Sequence, residues 1–117
     1  MYTLIIKEHF DAAHFLENYM GKCANIHGHT WHVDVEIEGE SLDKTGMVVD
    51  FGEVKKIIKS ILPDHEFLNR VLFINPTAEN LSKYFFMSLE DTFKDRSFRV
   101  KSVTVWESLS CGCRYSR

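Results

Sequence analysis

Proline is nearly absent from this chain of 117 residues: Pro63 and Pro76 are the only two, and they bracket one irregular stretch. No proline-, glycine- or serine-rich tract, low-complexity run or internal repeat is present, so no linker divides the chain, and its length suits one core rather than two. A single domain over residues 1–117 is expected. No apolar run approaches the roughly 18 residues that a membrane helix needs, so a soluble protein without a membrane partner is expected. The opening segment Met1 to His9 lacks a basic stretch followed by an apolar one, which argues against a cleavable secretory signal and makes the cytoplasm the expected location. An excess of positive charge is missing too. Fourteen Lys and Arg against seventeen Asp and Glu give a formal charge of −3, which excludes nucleic-acid binding through a broad basic surface; any anionic ligand must be held locally. Cysteine is scarce and odd in number. Cys23, Cys111 and Cys113 form no disulfide framework in a chain read as intracellular, and at least one thiol stays free.

What the chain does have is alternation. Tyr2, Leu4, Ile6, Phe10, Ala12 and His14 share one parity, interrupted by Glu8, as along a half-buried strand. Residues 27–38 alternate more cleanly, with His27, His29, Trp31, Val33, Val35 and Ile37 on one side and polar residues on the other. A turn-rich connection from Gly39 to Gly46 leads to the short apolar run Met47 to Val49, which reads as the return strand of a long-looped hairpin. Asp50 then precedes apolar residues at helical spacing, Phe51, Val54, Ile57, Ile58, Ile61 and Leu62, with Glu53 placed as in a capping box and Pro63 as the stop. A second helix is predicted from Thr77, with Leu81, Tyr84, Phe85, Leu89 and Phe93 on one side, and a last strand from Phe98 to Glu107. This order implies an α+β domain: a four-stranded antiparallel sheet with two helices packed on one face.

The strongest chemical signal is Cys23-Ala-Asn-Ile-His27-Gly-His29. Histidines at i and i+2 of a strand point the same way, with Cα atoms about 6.6 Å apart, close enough for both imidazoles to reach one ion. Gly28 leaves room on the opposite side. Two ordinary strand histidines would give the same pattern, so the neighbours decide. His14 shares the parity of the apolar residues of its strand, and antiparallel pairing would bring it beside His27 and His29. Three neutral imidazoles with an open fourth position describe a catalytic rather than a structural zinc site. Cys23 is open between a fourth ligand and a thiol beside the metal. Asp64-His65 stands in the connection between the helices; a carboxylate bonded to an imidazole fixes its tautomer and supports proton transfer, and the same pair could be plain solvated surface. Glu107 follows the parity of Val103 and Val105, so its carboxylate falls at the end of an apolar face, where a ligand's N–H groups or a salt bridge must partner it. Lys22, Arg99, Lys101, Arg114 and Arg117 are basic, but nothing in the pattern aims them at a site.

Six ordered blocks resemble the 6-pyruvoyl/6-carboxy-tetrahydropterin synthase family nearly end to end: Phe10-Asp11-Ala12-Ala13-His14, Cys23 to His29, Thr45 to Phe51, Asp64 to Asn69, Asn75-Pro76-Thr77-Ala78-Glu79 and Trp106-Glu107-Ser108. The resemblance implies the tunnelling fold, with sheets of several copies joined into a barrel, a homohexamer of two stacked trimers, and active sites between subunits. It implies zinc on His14, His27 and His29, Cys23 as proton acceptor, Asp64 and His65 as proton relay, and Glu107, with Thr77, as substrate-binding. The implied substrate is 7,8-dihydroneopterin triphosphate. Three residues separate Cys23 from His27, as in the bacterial carboxy branch of queuosine synthesis, whose product is 6-carboxy-5,6,7,8-tetrahydropterin; the pyruvoyl branch has a longer gap. Glu66 stands where many members carry a second histidine. Cys111 and Cys113 receive no role and read as strand-end residues.

Overall fold

Alternation of the kind seen at residues 2–14 and 27–38 lets one strand face bury while the other meets water. In the computed structural model, which describes residues 1–117, both segments are long strands, β1 (Tyr2–His14) and β2 (His27–Gly39). They pair antiparallel so that His14 lies opposite His27 and Phe10 opposite Trp31. Phe10, Ala12, His14, Trp31, Val33, Val35 and Ile37 are buried on the inner face, whereas Lys7, His9, Asp11 and Thr30 on the other face are exposed.

The sheet has five strands, not four. β3 (Glu66–Phe67), β4 (Phe98–Trp106) and β5 (Gly112–Tyr115) join the first two in the order β3-β1-β2-β4-β5, with β3 parallel to β1 and the other pairs antiparallel. The expected strand at Met47–Val49 does not form. Asp43 gathers that segment into a turn: its Oδ1 accepts from the backbone of Thr45 and Met47 and from the Thr45 hydroxyl, at 2.8, 3.1 and 2.6 Å. The apolar run still finds the core, with Val49 buried and Val48 packed against it, because a loop side chain can bury without a ladder. Gly39 is the reason it fits: a Cβ there would stand 2.8 Å from Val48 Cγ1.

Three helices, one more than expected, form: α1 (Phe51–Ile61), the single-turn α2 (Leu68–Val71) and α3 (Ala78–Thr92). Asp50 caps α1 by accepting from Glu53 N at 3.0 Å, and Thr77 caps α3 by accepting from Asn80 N at 3.1 Å, each satisfying an orphan N–H of the first turn. Helix α1 lies over β1 and α3 over β4 and β5. Phe10 joins the layers: its ring stacks on Trp31 and meets Phe85 of α3 edge-on, with centroids 6.1 and 5.8 Å away. Tyr84, expected on the buried side of α3, is exposed, and Phe86 is buried in its stead. The cause is β5, whose Tyr115 widens the sheet and takes the Phe86 ring at 5.0 Å.

One irregularity decides where the last strand aims. Between Glu36 and Ile37 the register with β4 shifts by a residue: Val100 faces Ile37 and Ser102 faces Glu36, leaving Lys101 as the extra residue. The bulge reverses parity. Phe98 and Val100 are inward before it, Val103 and Val105 after it, and Glu107 therefore leaves the strand toward the inner face.

Candidate functional site

His14 ends β1 and His27 begins β2, so the first antiparallel pair of the sheet is a pair of histidines, and His29 follows one turn of the pleat later. The donor atoms of His14, His27, His29 and Glu107 all lie within 4.8 Å of one another. Trp31 forms the wall behind them, its ring 4.9 Å from that of His14 and 5.2 Å from that of His29, and its indole N–H is held by Ala12 O at 3.2 Å.

Two carbonyls set the tautomers. His14 Nδ1 stands 2.8 Å from Pro76 O and His27 Nδ1 2.7 Å from Asn25 O. A carbonyl only accepts, so each Nδ1 carries the proton and each neutral imidazole presents a lone pair at Nε2. Those two Nε2 atoms are 2.9 Å apart. Lone pairs that close repel unless a cation lies between them. Burial pushes the His14 pKa below its ordinary value, with His27 and His29 adding to that effect and the Pro76 carbonyl opposing it, so a shared proton is disfavoured. His29 is shifted down as well, again first by burial, with Glu107 opposing. His29 Nε2 is sealed from solvent with no hydrogen-bond partner. A divalent metal would satisfy all three nitrogens: donors about 2 Å from a tetrahedral ion lie about 3.3 Å from one another. Carbonyl-oriented imidazoles are the usual outer support of such a site.

Asp64 and His65 form a second group with Asp11, an exposed residue of β1 whose parity is opposite to that of His14. Asp11 N donates to Asp64 Oδ1 at 3.0 Å, His65 N donates to Asp11 O at 2.7 Å, and the Thr30 hydroxyl donates to Asp11 Oδ1 at 2.6 Å. Asp64 Oδ2 is 3.1 Å from His65 Nδ1. The Asp11 N–H, and then the His65 imidazole, hold the Asp64 carboxyl below its ordinary value. His65 has φ of 59°, a left-handed conformation uncommon outside glycine and asparagine, and this backbone net holds it there. An open concavity of about 520 Å³ is bordered by His29, Gly28, Thr30 and His65, and a Cβ on Gly28 would meet nothing within 4 Å.

Cys23 is not brought into either group. It is half-buried in a 3₁₀ turn, Lys22–Ala24, and its carbonyl accepts from Leu16 N at 2.7 Å. The Thr77 hydroxyl is spent on capping α3. Four of the basic candidates are engaged elsewhere: Arg99 with Glu38, Arg117 with Glu90, Arg114 with Thr104 and Lys101 with Thr3. Cys111 lies in the β4–β5 turn and Cys113 within β5, both free. Sequence patterning missed the latches. Asn69 exchanges two hydrogen bonds with the backbone of Phe15 at 2.9 and 3.0 Å, and Asn75 does the same with Glu17 at 2.8 Å each. They tie the segment after β1 to the segment carrying the Pro76 carbonyl. Two asparagines in turn-rich stretches, each able to pair with one peptide unit through both amide atoms, were the available signal.

Comparison with known proteins agrees with this geometry. Residues 3–117 match the family model described as 6-pyruvoyl tetrahydropterin synthase. A 6-carboxy-5,6,7,8-tetrahydropterin synthase of Haemophilus influenzae is 33% identical, with 91% of this chain and 92% of that one covered. A dihydroneopterin monophosphate aldolase of Pyrococcus furiosus is 31% identical over 93% and 92%. Among solved structures, the Caenorhabditis elegans 6-pyruvoyl tetrahydropterin synthase superposes with a TM-score of 0.86 at 30% identity, covering 99% of this chain and 95% of that one.

Proposed function

The chain belongs to the 6-pyruvoyl tetrahydropterin synthase family, and from that premise we propose that it is a zinc-dependent lyase, one domain over residues 1–117. In this reading it converts 7,8-dihydroneopterin triphosphate and one water into 6-carboxy-5,6,7,8-tetrahydropterin, releasing acetaldehyde and triphosphate. The observation that carries the metal is the pair of Nε2 lone pairs 2.9 Å apart on carbonyl-fixed imidazoles. The carboxy product is supported by the H. influenzae relative and by the three residues between Cys23 and His27.

His14, His27 and His29 hold the zinc, which when bound supplies Lewis acidity toward the side-chain hydroxyls of the substrate. Glu107 anchors the pterin ring, its carboxylate accepting from ring and amino N–H groups. The Cys23 thiolate takes a carbon-bound proton from the side chain. His65, oriented by Asp64, returns a proton; the side chain rearranges internally and triphosphate is eliminated, and a retro-aldol-like cleavage that consumes one water, whose oxygen becomes the second carboxylate oxygen, frees acetaldehyde. No external redox cofactor enters the balance.

In this reading one chain does not complete the site by itself. His14 is on the inner face of β1 and Asp11, which carries the Asp64–His65 net, is on the other. The sheet also has unpaired edges: β3 covers β1 only at Ala12 and Ala13, and β5 covers β4 only from Val103 onward. Exposed strand edges are removed by pairing with further copies. A cytoplasmic homohexamer of two stacked trimers, its sheets joined into barrels and its active sites shared between subunits, accounts for both features. A stable, active monomer by light scattering would contradict it.

Incubation of zinc-loaded protein with 7,8-dihydroneopterin triphosphate, with trapping of aldehyde and mass analysis of the pterin, tests the reaction. Acetaldehyde together with the 6-carboxy product is expected; triphosphate release with an intact three-carbon side chain makes the enzyme a pyruvoyl-type synthase. A second reading, aldol cleavage of a dihydroneopterin monophosphate, is favoured by one observation, the position of Cys23 outside the metal group, and by the P. furiosus relative. It predicts turnover of the monophosphate with Cys23 dispensable.

A further inference from the structure

Glu107 is assigned above to the heterocycle, yet its carboxylate stands among the metal donors. Its Oε1 is 3.2 Å from His29 Nε2, the spacing of neighbouring donors on one tetrahedral ion, about 3.3 Å. It falls within the same 4.8 Å group as the three imidazole nitrogens. The two atoms do not form a hydrogen bond, for His29 Nε2 is buried and unpartnered despite the near contact.

The chain holds the base of Glu107 and leaves its tip free. Its backbone N–H donates to Cys111 O at 3.0 Å across the β4–β5 turn, and the bulge at Lys101 sets its inward phase. The side chain is 32% exposed, so it has room to swing between the donor cluster and the open side of the site.

We propose that Glu107 closes the metal centre as its fourth protein ligand while the pocket is empty, and leaves the metal for the heterocycle when substrate binds. This rests on the zinc and pterin reading above. Metal and heterocycle then compete for one carboxylate, and the coordination position opens only when something has arrived to use it. By linkage, a ligand that takes Glu107 without giving the metal anything in return must weaken metal binding, and the metal must weaken that ligand by the same factor.

Unsubstituted pterin is such a probe, having the ring but no side-chain hydroxyls. Zinc affinity is measured by competition with a chromophoric chelator for the wild-type protein and for Glu107→Gln, with circular dichroism as a control for folding. The Gln variant is expected to hold zinc at least about tenfold more weakly, the lower range for disturbing the surroundings of a metal site. Saturating pterin should weaken zinc binding by the wild type and shift the visible spectrum of its cobalt(II) form, and do neither in Glu107→Gln. Equal zinc affinity in the two proteins overturns the proposal. So does an unchanged cobalt spectrum in wild-type protein that quenching of pterin fluorescence shows to be occupied. Should pterin not bind at all, the pterin reading fails and the exchange fails with it, whereas the chelator competition, which needs no pterin, still decides whether Glu107 is a ligand.

Discussion

β1 carries the supports of two ionisable groups, three residues apart, and treats them in opposite ways. His14 is fully buried, its ring walled by Trp31 and its Nδ1 fixed by the Pro76 carbonyl. Asp11, Asp64 and His65 are exposed, held by backbone hydrogen bonds rather than by packing. The three imidazoles and Glu107 come together within one chain, and burial lowers the pKa of His14 and His29, which favours their neutral forms. The Asp–His end is aligned but uncovered, so whatever excludes water from it comes from outside this chain. The difference teaches how the work is divided in the proposed reading: one chain brings the candidate metal donors together, and the exposed relay is left for another copy to cover.

The largest effect should come from the metal end. His27→Ala with His29→Ala should abolish zinc binding and turnover together, and remove the stabilisation that zinc gives the folded state, about 4 kcal/mol when free zinc exceeds Kd a thousandfold. Atomic absorption and thermal melts with and without zinc measure it. Retained stoichiometric zinc would show that the lone-pair argument picked the wrong donors.

Next comes the division between copies. Cys23→Ala and His65→Ala should each lower turnover by about 10² to 10⁴, the usual worth of a proton-transfer group, with zinc retained in both. If one site draws Cys23 and His65 from different chains, refolding the two variants together should restore about a quarter of the sites, each contributor being intact half the time. No recovery would place both residues of a site on one chain. Loss of zinc in Cys23→Ala would move that thiol into the metal shell.

How much of this was legible in the sequence follows from the kind of interaction involved. The His14, His27 and His29 convergence could be read because strand periodicity fixes side-chain direction, and two neighbouring strands need one register to bring the three together. Glu107 was legible through its parity with Val103 and Val105, although the bulge at Lys101 that makes this parity inward leaves no mark of its own in the sequence. β3 and β5 were missed because strands of two and four residues lack enough alternation to be seen. Met47–Val49 was misread because burial and strand pairing look alike in three residues. The Asp11–Asp64 bond joins residues 53 apart through a backbone N–H, and no side-chain pattern encodes a backbone donor.

A smaller effect concerns acid. Asp64 has its carboxyl held below the ordinary 3.8, first by the Asp11 N–H and then by His65. The sign is that of a depressed acid: the ionised form is favoured by folding, so its contribution is complete above about pH 3.8 and is lost as pH falls through the lower, folded-state value. Asp64→Asn should flatten the part of the stability–pH curve that lies in that acid window by lowering stability on its neutral side, a small loss because the pair is solvent-exposed, and leave stability below the window unchanged. Chemical denaturation from pH 2.5 to 5 reads this directly. An unaltered acid limb would mean that the Asp11 N–H contact does not persist in solution.

The smallest effect belongs to Thr77, and it separates positioning from substrate binding. Its hydroxyl accepts from Asn80 N at the head of α3, and the residue before it supplies the carbonyl that sets the His14 tautomer. Thr77→Ala should cost about 1 kcal/mol, the usual loss of a helix cap, and loosen the chain next to the Pro76 carbonyl enough to weaken zinc binding slightly. Thr77→Ser keeps an oxygen at the cap and should restore both. If Thr77 instead acts by touching substrate, the two variants should differ in KM at matched zinc occupancy while their melting temperatures barely differ. Paired measurements of melting temperature, zinc affinity and KM decide between these patterns. Changes in the first two with KM constant keep Thr77 on the metal end, as a support for the carbonyl that aims His14.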